Sequence, residues 1–376
     1  MGASAPRKRS HTAMTAPEPD RPDAPTATHL GVDVGADAPT ATHIGVDVGA
    51  TKTAVAAGTA DGRLLAKRVV PTVLRDPAAL ADAVADAIAE LRAAVAIAPD
   101  APIGIGVCGG VGRDGLVAGP IALGWSGRVD FAGLVAERTG ARTAIDNDVN
   151  AGAIAEHRWG AGRGVDDFVY LAIGTGIGAG LFLGGALHRG ARHLAGEIGH
   201  LSVDVDGEAC ACGNRGCLEA TCGGKAAAER VAERLRLDPG LASVLRAVQA
   251  ARGGLTARDL FDTAAAGDAF ARAEVVRMAR HLAAAIVGVV NLLDVARVIV
   301  GGGQAQHAVV LPTLRAALRD WRPYLDRGDD WLVPAGLGED AGVAGALALA
   351  VEADAAVHAP GAVAPPAAAT EGGVPM

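Results

Sequence analysis

From His43 onward, short apolar runs alternate with turns rich in glycine: HIGVDV, a turn at Gly49-Ala50-Thr51-Lys52, TAVAAGTA, a turn at Asp61-Gly62, and RLLAKRVV. Runs of this length, punctuated in this way, predict an antiparallel meander. The period then changes. Asp76-Pro77 places a capping carboxylate before a proline at the first helical position. Leu80, Val84, Ile88, Leu91 and Val95 follow at helical spacing. IGIGVCG (Ile103 to Gly109) reads as a buried strand, followed by a loop with Trp125 and a helix near Phe131 to Thr139. A strand over Arg142 to Ile145 delivers Asp146-Asn147-Asp148-Val149-Asn150 to the start of another helix. A second strand set opens at Phe168, where FVYLAIGTGIGAGLFLGGALH again reads as strand, glycine-rich turn, strand. The stretch from about Lys225 to Asp294 is mainly helical in pattern, and RVIVGGG (Arg297 to Gly303) is a strand ending in three glycines. Helices near Leu311 to Arg319 and Ala341 to Ala353 complete the pattern.

The chain therefore divides into two strand-led halves, expected at 43–153 and 154–353, with the last helix free to return to the first half. Its 376 residues suffice for two cores. Residues 1–42 are Pro-, Ala- and Thr-rich and are expected to be disordered, as is the Ala/Pro/Gly tail 354–376. The leading stretch contains a tandem repeat: DAPTATHLGVDVGA (Asp23 to Ala36) recurs as DAPTATHIGVDVGA (Asp37 to Ala50). Only the second copy runs on into Thr51-Lys52-Thr53, so the second is expected in the fold and the first outside it, with Met14 as an alternative start.

Composition narrows the classes. Half the residues are hydrophobic but only 3% are aromatic, and the formal net charge is −8. That charge sets general nucleic-acid binding aside. Arg7-Lys8-Arg9 is not followed by an apolar core segment, so no secretory leader is expected. The longest apolar run, Leu282 to Leu293, is interrupted by Asn291 and followed by Asp294 and Arg297. It is too short to span a bilayer and predicts a buried helix, hence no membrane association. A cytoplasmic protein is expected.

The chemistry concentrates in Gly196 to Glu219, GEIGHLSVDVDGEACACGNRGCLE. His200, Cys210, Cys212 and Cys217 are the imidazole and thiolate donors that tetrahedral zinc takes, and four of them close a structural site. Glycines at 199, 207, 213 and 216 let a short chain wrap one ion. Glu197 and Glu219 flank the cluster, and carboxylates so placed could accept hydrogen bonds from a polyol. The two glycine-bearing turns, Asp47-x-Gly49-x-Thr51-Lys52 and Gly174-Thr175-Gly176-x-Gly178, could bring backbone N–H groups up to phosphate oxygens. Gly174-x-Gly176-x-x-Ala179 loosely fits a dinucleotide fingerprint, but Leu181-Phe182-Leu183 continues as strand where that fingerprint needs a helix. No Gly-x-x-x-x-Gly-Lys-Ser/Thr occurs, which excludes a P-loop.

Together these segments resemble the ROK family (repressors, open reading frames and sugar kinases) of the actin-like and hexokinase-like ATPase superfamily. The resemblance is carried by DVGATKT (Asp47 to Thr53), IDNDVNAG (Ile145 to Gly152), LAIGTGIGAG (Leu171 to Gly180), GEIGH with the Cys-x-Cys-x4-Cys knot (Gly196 to Cys217), CLEA (Cys217 to Ala220), VGGG (Val300 to Gly303) and GEDAGVAGA (Gly338 to Ala346). It implies an α/β fold of two actin-like (ribonuclease-H-like) domains with a cleft between them and a zinc-binding segment, 196–219, in the second. It also implies ATP with Mg²⁺ as co-substrate and structural Zn²⁺ on His200, Cys210, Cys212 and Cys217. By the same resemblance, Asp47, Gly49, Thr51 and Lys52 form a first phosphate turn that orients Mg²⁺, and Gly174, Thr175 and Gly176 form a second. Gly301, Gly302 and Gly303 lie on the adenosine side. Asn147 and Asp148 are the sugar-binding Asn and the catalytic base; Gly110, Glu197, His200 and Glu219 are further sugar contacts.

The expected activity is phosphorylation of a hexose at its 6-hydroxyl, glucose first, because Gly124-Trp125 and the 109–112 loop resemble those of glucokinases. N-acetylglucosamine, N-acetylmannosamine, fructose or allose are alternative sugars, polyphosphate is an alternative donor, and a sugar-sensing regulator without turnover is the rival class. A homodimer is expected by family analogy. The sequence departs from the family at Thr221-Cys222-Gly223, where Cys222 is expected to be a packed thiol, and at Gly109-Gly110-Val111-Gly112, where a proline is common. On the residues alone, the bland role for Asp148 is the cap of the following helix, a role open also to Asp146 and Asn150.

Overall fold

Each of the two hairpins becomes the antiparallel part of a mixed sheet. The computed structural model describes residues 31–32, 40–118, 122–320, 324, 328 and 330–358. The first sheet takes β1 (Gly31–Val32), β2 (His43–Val48), β3 (Lys52–Gly58) and β4 (Leu64–Pro71); α1 (Pro77–Ala94) then leads to β5 (Ile103–Val107). A small sheet of β6 (Gly110–Val111), β7 (Val117–Ala118) and β8 (Arg128–Val129) precedes α2 (Phe131–Thr139), β9 (Thr143–Asn147) and α3 (Asp148–Trp159). The first sheet has the order β1-β4-β3-β2-β5-β9. Strands β2, β3 and β4 form the antiparallel meander, and β2, β5 and β9 run parallel.

The second sheet repeats the rule. It takes β10 (Phe168–Ile173), β11 (Ile177–Leu183) and β12 (Ala186–Leu187). The helices α4 (Leu218–Cys222), α5 (Gly224–Leu237), α6 (Leu245–Arg252), α7 (Ala257–Ala265) and α8 (Ala269–Leu293) follow. Then come β13 (Arg297–Gly301), α9 (Val310–Asp320), β14 (Leu332–Pro334) and α10 (Ala341–His358). The order is β12-β11-β10-β13-β14, with β10–β11 antiparallel and β10–β13–β14 parallel. The elements form where the sequence pattern places them. Asp76 caps α1 by accepting from Ala79 N at 2.9 Å, with Pro77 at the first turn, and Leu80, Val84, Ile88 and Leu91 are buried. Helix α8 is long and apolar enough to cross a bilayer, but Phe270, Val275, Met278, Leu282 and Ile286 are packed into the core of the second half.

Three cores result. One joins the first sheet to α1 and α2, and one joins the second sheet to α5, α7, α8 and α9. The third lies where the halves meet: Ala151, Ala153, Ile154 and Ala155 of α3 and Ala344, Ala348 and Leu349 of α10 pack with Phe168, Tyr170, Phe182 and Ile299. Helix α10 thus returns to the first half, as the sequence allowed. It can do so because β2 and β5 present glycines beneath it. A Cβ on Gly45 would lie 2.6 Å from Leu347 N, and one on Gly104 would lie 2.5 Å from Ala350 N.

Two boundaries differ from expectation. Gly31–Val32, from the first repeat copy, pairs antiparallel with Lys67 and Ala66 of β4 instead of lying outside the fold. The outer edge of β4 would otherwise be unpaired, and an unpaired edge accepts any strand of suitable alternation. Ala41 is also fully buried and bridges to Ile97, so the fold begins before His43. At the other end α10 continues to His358, past the expected stop at Ala353. The remainder of the leading and trailing stretches, including Met14, lies outside the described residues.

Because the α10 contact leaves no space for a methyl group, Gly104→Ala should lower the thermal midpoint, at a cost of about 1–3 kcal/mol. Gly254→Ala, at a position with nothing within 4 Å, should leave it unchanged. Equal melting of the two variants would show that α10 is not seated on Gly104.

Candidate active site

Ligands of parallel α/β sheets gather at the carboxyl ends of the strands. Here those ends carry Asp47 on β2, Cys108-Gly109-Gly110 after β5, and Asn147-Asp148 at the β9–α3 junction. Asn147 caps α3: its Oδ1 accepts from Val149 N at 2.9 Å and Asn150 N at 3.2 Å. Its Nδ2 donates to Gly109 O at 3.1 Å, tying the junction to the loop after β5. The cap is therefore neither Asp148, Asp146 nor Asn150, the three weighed from sequence. Asp148 is the first helical residue, and Asn147 has already satisfied the helix end, which leaves Asp148 available for chemistry. Asp146 instead accepts from Asn147 N at 2.7 Å, Asn150 Nδ2 at 2.9 Å and Arg189 Nε at 2.7 Å.

The half-buried Asp148 carboxyl accepts from Val149 N at 2.9 Å. Burial raises its pKa to about 7, and the charges of Asp47 and Glu197 push the same way. Burial raises Asp47 to about 6 against the pull of Lys52 and Lys67. Cys108 is pushed up to about 12 by burial and then by Asp148 and Asp47. The structure thus brings Asp47 and Glu197 within electrostatic reach of Asp148. The Asp47 carboxylate, packed against Gly342, is an oxygen donor of the kind a hard cation takes.

The first turn closes through Gly49 N donating to Lys52 O at 3.1 Å, with Lys52 exposed. Thr72, beyond β4, buttresses it: Thr72 Oγ1 donates to Gly49 O at 2.7 Å and Thr72 N to Thr51 O at 3.2 Å. The second turn closes through Gly174 N and Gly176 O at 2.9 Å, and exposes Thr175. Glu219 sits behind it, Oε2 accepting from Ile177 N at 2.9 Å, where a Cβ on Gly176 would collide with it. The structure therefore places Glu219 against the second turn. The third glycine run joins the same assembly. Gly302 has φ +84°, and a Cβ there would lie 2.6 Å from Ile173 N. Gln304 N donates to Ile173 O at 2.9 Å, and Gln304 Nε2 donates to Gly174 O.

The Cys/His cluster forms beside this. The ligand atoms of His200, Cys210, Cys212 and Cys217 all lie within 4.8 Å of one another. Cys212 Sγ and Cys217 Sγ are 3.7 Å apart, as are Cys210 Sγ and His200 Nδ1. Two sulfurs on one tetrahedral zinc, each about 2.3 Å from it, stand about 3.8 Å apart. The donor set and its spacing therefore fit that ion. The second ring nitrogen faces a carboxylate: His200 Nε2 is 3.9 Å from Oε2 of the exposed Glu197. Gly110 lies across from the same loop, where its Cβ would be 3.2 Å from Leu194 Cδ2. Cys222 is fully buried, its Sγ 3.4 Å from Met278 O, the packed thiol the sequence suggested.

A family model described as "ROK family" matches residues 43–353. The chain belongs to the ROK family. The ROK protein is 32% identical to a glucokinase of Streptomyces coelicolor over 86% of its own length and 98% of that protein's. It is 33% identical to an N-acetylmannosamine kinase of Escherichia coli over the same shares, 86% and 98%. A crystal structure of a ROK glucokinase from Streptomyces griseus in complex with glucose and AMPPNP superimposes with a TM-score of 0.73, at 32% identity, over 82% of this chain and 99% of that one. The ROK protein is accordingly a sugar kinase.

Three residues of this ROK kinase had no motif to announce them. Thr72 and Gln304 act through hydrogen bonds to carbonyls at the turns, which no local spacing encodes. Arg189 pairs with a carboxylate on the other sheet. Only its place in the glycine-rich loop before Glu197 was a signal.

A carboxyl held at about 7 rather than 3.8 binds its proton more tightly in the folded state. Its stabilising contribution is full below pH 3.8 and is lost as pH rises through 7. Asp148→Asn should therefore raise the thermal midpoint more at pH 8 than at pH 5. A gain that shrinks with pH would contradict the buried, repelled carboxylate.

Proposed function

We propose that this kinase transfers the γ-phosphoryl group of ATP to the 6-hydroxyl of a hexose, glucose foremost. The observation that carries the reading is Asp148: a half-buried carboxyl with a pKa of about 7, at the tip of β9 beside Asp47 and Glu197. A base so poised takes the proton of a sugar hydroxyl as that oxygen attacks, and remains largely ionised just above neutrality. Asn147, fixed by its cap and by Gly109 O, holds the base in place. Gly110, Glu197 and His200 line the sugar side. The first and second turns offer backbone N–H groups to the phosphates, with Lys52 supplying positive charge. Mg²⁺ bound at Asp47 would neutralise charge on the phosphates. Zinc on His200 and the three cysteines would brace the segment from Glu197 to Glu219.

The relatives support the nucleotide and the sugar class: the S. griseus protein was solved with glucose and AMPPNP. A second reading, an N-acetylhexosamine kinase, is favoured by the similar identity, 33%, to the E. coli N-acetylmannosamine kinase. We further read the halves as two domains divided near residue 153 that close over both substrates, in a cytoplasmic homodimer. Closure of that kind would exclude water and limit hydrolysis of ATP.

A coupled assay of ADP release with Mg²⁺ against hexoses and N-acetylhexosamines should show turnover with glucose. Turnover with an amino sugar alone would select the second reading, and none with any sugar would refute both. Asp148→Asn should lose at least about a hundredfold in kcat; retained turnover would remove it as the base. Metal analysis should find one zinc per chain, lost together with thermal stability in Cys212→Ala. Zinc-free wild-type protein of unchanged stability would show the cluster to be a thiol cluster only.

A further inference from the structure

The segment between β12 and Glu197 forms a closed loop. Its base is fastened by Ala195 N donating to Arg189 O at 3.0 Å, and its exit by Ala179 N donating to Gly196 O at 2.8 Å. The first bond closes the loop on itself, and the second holds it to β11 of the second sheet. One side chain at its base reaches the first. Arg189 Nε donates to Asp146 Oδ2 at 2.7 Å, and the Asp146 side chain is only 8% exposed. The other Asp146 oxygen accepts from Asn147 N and Asn150 Nδ2. Asp146 therefore grips the start of α3 with one oxygen and the loop with the other. What each end carries gives the pair its meaning. The β9–α3 end carries Asn147 and Asp148. The loop end carries Leu194, in contact range of Gly110, and continues into Glu197.

We infer that Arg189 is a positioning residue for the sugar: it fixes the distance between the loop that borders the sugar side and the junction that carries the base. It touches neither phosphate turn. Its bond runs through Nε, so the guanidinium plane sets direction as well as charge, which a lysine ammonium cannot reproduce. A misplacement of about 1 Å between a reacting group and its base costs on the order of a hundredfold in rate. Losing this bond should therefore act on the sugar and spare the nucleotide. The inference rests on the sugar-kinase mechanism proposed above, and the experiment separates the two.

The test begins with wild-type kinetics in both substrates. No turnover with any sugar would sink the proposed function itself, and the role of Arg189 with it. With turnover in hand, Arg189→Ala should lower kcat/KM for the sugar about ten- to hundredfold while KM for ATP stays within about twofold. Arg189→Lys should recover part of the loss, and Asp146→Asn should reproduce it. A double variant, Arg189→Ala with Asp146→Asn, should lose no more than the worse single one, because the two act as a pair. Unchanged sugar kinetics in Arg189→Ala would overturn the inference. So would equal losses for sugar and ATP, or an Arg189→Ala chain that no longer folds, since either result marks a structural strut.

Discussion

A helix backbone can lie directly on a sheet only where the sheet withholds its side chains. In this protein that condition is met at Gly45 on β2 and Gly104 on β5, and α10 occupies the space. Much else follows from this seating. It lets a helix that follows the second sheet pack on the first, and with α3 it builds the apolar core between the two. It also sets the start of α10 against the site: a Cβ on Gly342 would collide with the Asp47 carboxylate. The same small-residue packing that joins the halves therefore helps to bury Asp47 and raise its pKa, with Lys52 and Lys67 restraining the rise.

The tip of β9 shows how three consecutive residues divide the work. Asp146 faces the protein and is consumed by structure: three donors satisfy it, Arg189 among them. Asn147 spends its amide on the helix end and on Gly109. Asp148 is left with one backbone N–H and two neighbouring carboxylates, so that its proton affinity is set by burial and repulsion rather than by a partner. Capping by a neutral amide is what makes this possible. Had Asp148 capped α3, the helix N–H groups would have held it ionised and lowered its value as a base.

Much of this was legible because it is local. The hairpins at 43–71 and 168–183, the capped α1 and the strand 103–107 follow from period and turn chemistry within a few residues. The Cys/His cluster was legible because its ligands crowd one short segment. What could not be read was long-range and polar. Glu219 lies beside the cluster in sequence, yet the fold sets its carboxylate on Ile177 N, behind the second glycine turn. Thr72 and Gln304 each support a turn that no spacing rule connects to them. The identity of the helix cap was hidden for a different reason. Asp146, Asn147, Asp148 and Asn150 are all competent caps, and only the register of β9 decides which one stands at the helix entrance.

The pairing of Gly31–Val32 with β4 has a consequence for how the chain folds. The repeat supplies two nearly identical candidates for one central strand, and both reach the first sheet, one at its centre and one at its rim. The copies compete on connection length. The second is joined to β3 by the Gly49–Thr51 turn alone, whereas the first would have to close a loop containing the whole second copy. The difference in closure entropy is on the order of 1–2 kcal/mol, a modest bias toward the second copy at the centre of the sheet. The displaced copy then serves as a cover for β4, so that a duplication that could have scrambled the sheet protects its exposed side.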